Sequence, residues 1–291
     1  VTPVEAFRVT LDVDLRNFVV LLRRLRIPHR VVEAGDAQVV LVTEEPLAQE
    51  VRALYEAHPD GADPDTIELP DALKSPSGYS RGGVIDQLRA SPATAALLAL
   101  TFVAALFTGF GDQFSAIRLL SFLDFRIQGE YLYFAPIDHT LNAQWWRLVT
   151  PMFIHFGILH LAMNSLWFWE LGKRIEARHT AFTLVALSLL FSVTSNVAQY
   201  LYSGPSLFGG LSGVLYGLLG YCWIFQKCAP NAVFRLPPGV VGMMLIWLVV
   251  CMTGLVGALG FGAIANAAHV GGLVMGCVCG AIGGLVARRR R

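Results

Sequence analysis

Over roughly the first 60 residues, apolar and charged positions alternate in short periods, as they do where small elements each bury one face. Val4 to Leu11 reads as a strand. Asp14 is a candidate cap for a helix through Arg26, because the apolar residues Leu15, Phe18, Val19, Leu22 and Leu25 share one face. Arg30 to Glu33 and Gln38 to Thr43 read as strands on either side of a Gly35-Asp36 hairpin turn. Pro46 can open a second helix that ends near His58-Pro59. Strand, helix, strand, strand, helix is the order of a small α+β module, expected over residues 1–60. From 61 to 91 the chain is rich in Pro, Gly, Ser and Asp without sustained periodicity, and a linker is expected there.

The pattern then changes. Pro92 to Gly111 carries no charge for 20 residues, enough to cross a hydrocarbon core of about 30 Å. Asp112 to Arg147 follows as a long loop with charges of both signs and many aromatics, expected to lie in a membrane interface. Leu148 to Trp169 is a second uncharged span. Ala181 to Gln226 is uncharged for 46 residues around Gly204-Pro205, and Leu236 to Ala287 for 52 residues around Gly-rich breaks near 257 to 262, which is room for two helices each. Six spans over residues 92–291 result.

Composition agrees with this division. The chain has 291 residues, is 55% hydrophobic and only 15% charged, where soluble domains carry roughly 25% charged. This excludes a disordered, collagenous or ordinary cytosolic chain and predicts an integral membrane protein. Lys plus Arg is 22 against 21 for Asp plus Glu, so no basic excess points to a nucleic-acid partner. The five cysteines lack zinc-site or disulfide spacing and read as small core residues. Val1 in place of Met suggests a trimmed start, and no signal-peptide pattern near it directs secretion. Lys74, Arg81, Arg89, Lys173, Arg174, Arg178, Lys227, Arg235 and Arg288 to Arg291 fall on one side of the six spans, against Arg118, Arg126 and Arg147 on the other. The positive-inside rule therefore predicts that both termini are cytoplasmic.

No carboxylate lies within these spans, which argues against an aspartyl protease, a carboxylate proton relay or an acidic metal site. Three polar features stand out. Gly209-Gly210-Leu211-Ser212-Gly213, followed by Tyr216, could expose a hydroxyl at a helix start, where free N–H groups favour a developing anion. A glycine-rich packing face explains the same residues. His269 precedes Gly272, Gly276, Gly280 and Gly284, a four-residue repeat that permits close helix contact. A histidine within a membrane is a functional candidate, with a structural histidine as the alternative. His160 and Asn164, at i and i+4, project two hydrogen-bonding groups from one face, and interhelix bonding is the bland alternative. His155 and His160, five apart, lie about 140° apart on a helix and do not make a zinc-protease pair.

Depth brings the three features together. A helix from Ser212 to Gln226 has 15 residues and is about 22 Å long, short of the core, which places Ser212 some way below the outer surface. Counting back from Arg288 and Lys173 places His269 and His160 in the outer half as well, with Asn164 one turn deeper. A nucleophile, a base and oxyanion donors at one level meet the requirements of acyl transfer.

These residues resemble the rhomboid intramembrane serine proteases, most closely the bacterial GlpG type. The match runs over about 92 to 287 with Trp146-Arg147, His160-x-x-x-Asn164, Gly210-x-Ser212-Gly213-x-x-Tyr216 and Ala268-His269-x-x-Gly272 in family order, and the N-terminal module is similar to the family's cytosolic domain. The resemblance implies an all-α polytopic core of six transmembrane helices behind a small N-terminal α+β cytosolic domain. It implies that Ser212 attacks a peptide carbonyl, with His269 as general base and then acid. His160, Asn164 and the Ser212 N–H would hold the oxyanion, Tyr216 would pack on the imidazole, and Gly210, Gly213, Gly272, Trp146 and Arg147 would support the site. Implied partners are transmembrane protein substrates and membrane lipid, with a homo-oligomer through the cytosolic domain as a candidate assembly. No cofactor, metal or nucleic acid is implied. The implied location is the bacterial inner (plasma) membrane, with the site open to the periplasm. Two rival classes are a catalytically dead relative, which would lack Ser or His, and a small-solute channel or transporter, which would show an internal repeat or intramembrane charge.

Overall fold

The computed structural model describes residues 3–25, 27–62, 84–231, 233–256 and 264–289. Most of the expected linker, and the Gly-rich breaks near 257 to 262, lie outside these residues. The chain forms two compact units, residues 1–83 and 84–291.

In the first unit β1 (Val4–Thr10), α1 (Arg16–Arg24), β2 (His29–Ala34), β3 (Ala37–Val42) and α2 (Glu45–Ala57) follow in order. The sheet is antiparallel with strand order β1-β3-β2. Ala34 pairs with Ala37 across the turn, and Gly35 alone of the two turn residues takes a positive φ, +71°. That is the type II′ geometry, which matches the twist of the flanking strands. Phe18, Leu21 and Leu22 of α1 and Val51 and Leu54 of α2 bury against Val40 and Val42, and Phe7 stacks on Tyr55 at 4.1 Å. Asp14 does not occupy the cap position: Leu15 does, without a side-chain bond, while Asp14 Oδ1 accepts the Arg16 N–H from just outside at 3.0 Å.

The second unit is helical. It runs α3 (Val84–Ala90), α4 (Pro92–Phe107), α5 (Phe114–Leu120), β4 (Phe125–Gln128), β5 (Tyr131–Phe134), α6 (Ile137–Ala143), α7 (Ile158–Arg178), α8 (Ala181–Ser203), α9 (Ser212–Cys228), α10 (Val240–Met252) and α11 (Asn266–Arg289). α3 falls inside the expected linker, and α5, the β4–β5 hairpin and α6 give structure to the expected long loop. Arg147 holds that loop: it is buried, donates to Gln144 Oε1 and to the Arg118 and Ser121 carbonyls, and stands 3.8 Å from Asp124.

α7 departs most from expectation. The uncharged stretch from Leu148 begins at the end of one 3₁₀ turn, Trp145–Leu148, and passes through a second, Thr150–Phe153, and the helix starts only after Gly157, at φ +95°. It then continues through five charged residues past Trp169 to Arg178, because those charges have partners. Lys173 pairs with Glu170, and Arg174 donates to the Val233 carbonyl at 2.8 Å. Glu176 is buried and accepts from Ala93 N, Thr94 N and Thr94 Oγ1 at 2.8–2.9 Å. A carboxylate thus does lie within a core helix, where it satisfies the free N–H groups and the positive end of α4.

α9 is the central element, with Gly213 to Cys222 all buried. α11 lies against it through glycines: a Cβ on Gly272 would come within 2.0 Å of the Gly213 carbonyl oxygen, and one on Gly276 within 2.0 Å of the Gly217 oxygen. Only helices without side chains at the crossing can approach so closely. On the other side of α11, Val274, Val278, Ile282 and Leu285 are exposed. α8 and α11 are long and apolar enough to cross a membrane, and α4 and α10 are apolar but shorter.

Candidate active site

Ser212 is the first residue of α9, so its N–H belongs to the group that no helix carbonyl satisfies. The turn before it is built of glycine because little else fits. Gly210 sits at φ +120°, donates its N–H to the Pro151 carbonyl at 2.9 Å, and would drive a Cβ to 2.8 Å from His160 Nε2. Gly209 is as tightly held, with a Cβ position 2.7 Å from that of Ile154.

His269 lies in the first turn of α11, buried, and its Nε2 is 2.7 Å from Ser212 Oγ. The glycine crossing of α9 on α11 is what allows side chains 57 positions apart to meet at that distance. Nδ1 of His269 is buried with no hydrogen-bond partner among the described residues. The Tyr216 ring lies 5.0 Å away at 36°, one turn along α9, and its hydroxyl donates to the Met244 carbonyl on α10 at 3.0 Å. The imidazole thus packs on a tyrosine ring, and among the described residues no carboxylate holds its Nδ1 as one does in a triad.

His160 and Asn164, one turn apart on α7, flank the Gly210 turn. The Phe156 N–H points at His160 Nδ1 from 3.4 Å, so Nδ1 accepts and Nε2 carries the proton. That donor faces the turn. Asn164 Nδ2, 3.6 Å from the same Cβ position on Gly210, is buried and has no partner among the described residues. Two side-chain donors and a helix N-terminal N–H beside a serine hydroxyl form an arrangement able to receive a negative oxygen, and an unpaired buried amide is costly unless something accepts from it.

Of the supporting residues, Gly213 and Gly272 sit in the crossing, Gly213 also against Ser195. Trp146 and Arg147 brace the segment 118–124, Trp146 through its Nε1–H to the Leu119 carbonyl at 3.3 Å. Sequence reasoning gave no role to Gln199, whose Oε1 accepts the Ala268 N–H at 3.1 Å beside His269, or to Asn196, which donates to the Leu148 carbonyl at 2.8 Å. It set aside His155, which packs 5.0 Å from His160. None carries a local signal, because each contact joins elements distant in sequence.

Comparison with known proteins agrees in both units. Residues 1–68 match the Rhomboid N-terminal domain and residues 142–285 the Rhomboid domain. Rhomboid protease GlpG of Serratia proteamaculans (strain 568) is 43% identical over 141 residues, covering 48% of this chain and 49% of that protein. The chain thus spans about half the length of this relative. With both family domains present in order, the chain belongs to the rhomboid family, whose members are membrane proteins.

Proposed function

We propose that this chain is an intramembrane serine protease working through a Ser212–His269 dyad. The observation that carries the reading is the 2.7 Å contact between Ser212 Oγ and His269 Nε2, beside the unpartnered Asn164 amide. His269 Nε2 takes the proton as Ser212 Oγ attacks a peptide carbonyl. The oxyanion is held by Asn164 Nδ2, His160 Nε2–H and the Ser212 N–H, and His269 then hands the proton to the leaving amine. Water repeats the sequence on the acyl-enzyme. Gly210, Gly213 and Gly272 allow the approach, Tyr216 orients the base, and Trp146 and Arg147 stiffen the neighbouring loop.

Residues 92–291 form a six-span membrane domain on this reading, made of α4, α7, α8, α9, α10 and α11, with 1–60 as a cytosolic accessory domain and 61–91 as linker. The exposed apolar face of α11 and the basic bias of one set of connections support it, with both termini cytoplasmic and the site open to the periplasmic side of the inner membrane. The substrate is a transmembrane segment whose upper end unwinds, since only an extended backbone offers its carbonyl.

The test is cleavage of a single-span substrate by the purified chain in detergent, read by mass spectrometry, beside Ser212→Ala and His269→Ala. Both variants should fold and lose roughly 10⁴-fold or more in rate, and Ser212 should react with a serine-directed phosphonate. Cleavage retained in either folded variant defeats the reading.

A further inference from the structure

His155 is wholly buried, in the non-helical stretch between the Thr150–Phe153 turn and Gly157. Its Nδ1 is 3.3 Å from the Phe153 carbonyl, its Nε2 3.4 Å from the Leu211 N–H, and its ring lies 5.0 Å from that of His160 at 53°. A carbonyl only accepts, so Nδ1 carries the proton and Nε2 is free to accept from Leu211. This is the neutral imidazole with both nitrogens engaged. A second proton would set Nε2–H against the Leu211 N–H and place a charge beside His160.

Both partners belong to the oxyanion site. Leu211 immediately precedes Ser212, and its amide is the next one along from that of Gly210, which is bonded to Pro151. The segment 151–155 thus grips two consecutive amides, and the following N–H, that of Ser212, is left to face the substrate. The same imidazole packs against the ring of His160, whose Nε2–H is the neighbouring donor.

We infer that His155 is a positioning residue: by accepting from Leu211 and packing on His160, it sets the backbone and side-chain donors of the oxyanion site relative to each other. This rests on the protease reading above. It differs from a core histidine in that only its acceptor at Nε2, and not its bulk, is needed for rate. Misplacing a donor by about 1 Å can cost as much as 10²-fold, so loss of the acceptor should lower kcat by roughly 10- to 100-fold with little change in KM.

The experiment compares the full chain with His155→Phe, His155→Gln and His155→Asn in detergent, reading kcat, KM, phosphonate labelling of Ser212 and the thermal midpoint. Phe keeps the ring and loses the acceptor. Gln carries an acceptor at about the Nε2 position. Asn can reach Phe153 but not Leu211, and serves in place of Phe if that variant does not fold. The expected result is a lowered kcat and slower labelling in Phe and Asn, an unchanged KM, and recovery of most of the rate in Gln. Parent-like kcat in a folded Phe or Asn variant overturns the inference, as does a Gln variant as slow as Phe. If the parent neither cleaves nor labels at Ser212, the protease reading falls and this inference with it. If the parent labels and the variants match it, only the role of His155 is refuted.

Discussion

Gly276→Ala should separate α11 from α9 and take activity with it. The new Cβ would stand 2.0 Å from the Gly217 carbonyl oxygen, with the Gly217 Cα and carbonyl carbon also within 3 Å, whereas ordinary contact begins at 3.4 Å. Every obstacle is backbone, so no rotamer change relieves it, and the helices must part by more than about 1 Å. Overpacking in a tight core typically costs 1–3 kcal/mol. With backbone on both sides and a central helix that is buried all round, we expect about 3 kcal/mol, or roughly 10²-fold in the folded ratio. The same displacement acts on the 2.7 Å contact between Ser212 and His269, which sit at the near ends of the two helices. Labelling of Ser212 by the phosphonate should therefore fall by one to two orders of magnitude in the fraction that stays folded. Gly242→Ala is the control: it lies exposed on α10 with nothing within 4 Å of its Cβ position, and it should leave stability unchanged or raise it by about 0.5–1 kcal/mol. Denaturant unfolding in micelles measures the first quantity and labelling kinetics the second. If Gly276→Ala unfolds within about 0.5 kcal/mol of the parent and labels at the parent rate, the close crossing does not hold the site.

Two further outcomes follow from polar contacts away from the dyad. Glu176→Ala strips three hydrogen bonds from the N-terminus of α4, leaving the amides of Ala93 and Thr94 without their acceptor. A loss of about 2–4 kcal/mol in micellar unfolding is expected, with Glu176→Gln intermediate; an unchanged Ala variant would mean that α4 is capped in some other way. Asp124 is held below the ordinary carboxylate range, first by the hydrogen bond from Arg118, which outweighs the opposing effect of burial, and further by the charges of Arg118 and Arg147. A lowered folded pKa means that its stabilisation is complete above about pH 4 and fades as pH falls through the folded value. The loop 112–147 should thus exchange amide hydrogens faster, relative to the intrinsic rate, at about pH 3 than at pH 6, and Asp124→Asn should flatten that difference. The same pH dependence in Asp124→Asn would assign it to another group.

The parts of this molecule that were legible in sequence are those fixed by neighbours in sequence. Alternation located β1, β2 and β3, and Gly35 located the turn, because a two-residue hairpin needs positive φ where glycine supplies it. Likewise Ser212 with Tyr216, and His160 with Asn164, are one-turn pairs that a helix projects together, and the glycine repeat of α11 announced a close crossing. Charge misled at α7. Glu170 to Arg178 read as a connection because unpaired charges end an apolar span, but Glu176 caps α4 and Arg174 reaches Val233, and neither partner is visible from position alone. The error at His155 has a different source and says more about the site. Five residues from His160 is about 140° on a helix, which places the two rings on different faces. The rule holds only for helix, and Gly157 at φ +95° breaks the chain between them, with its N–H held by the Phe110 carbonyl at 2.8 Å. That bend turns His155 back until its ring is 5.0 Å from that of His160 and its Nε2 meets the amide before Ser212. A regular α-helix from Leu148 would have made the span easier to read and carried His155 away from His160 and the Leu211 amide. Gly157 and Gly210, each at positive φ, break regular structure ahead of α7 and ahead of Ser212, and with the Pro151 carbonyl that holds the Gly210 amide they bring the groups of the site within reach of one another.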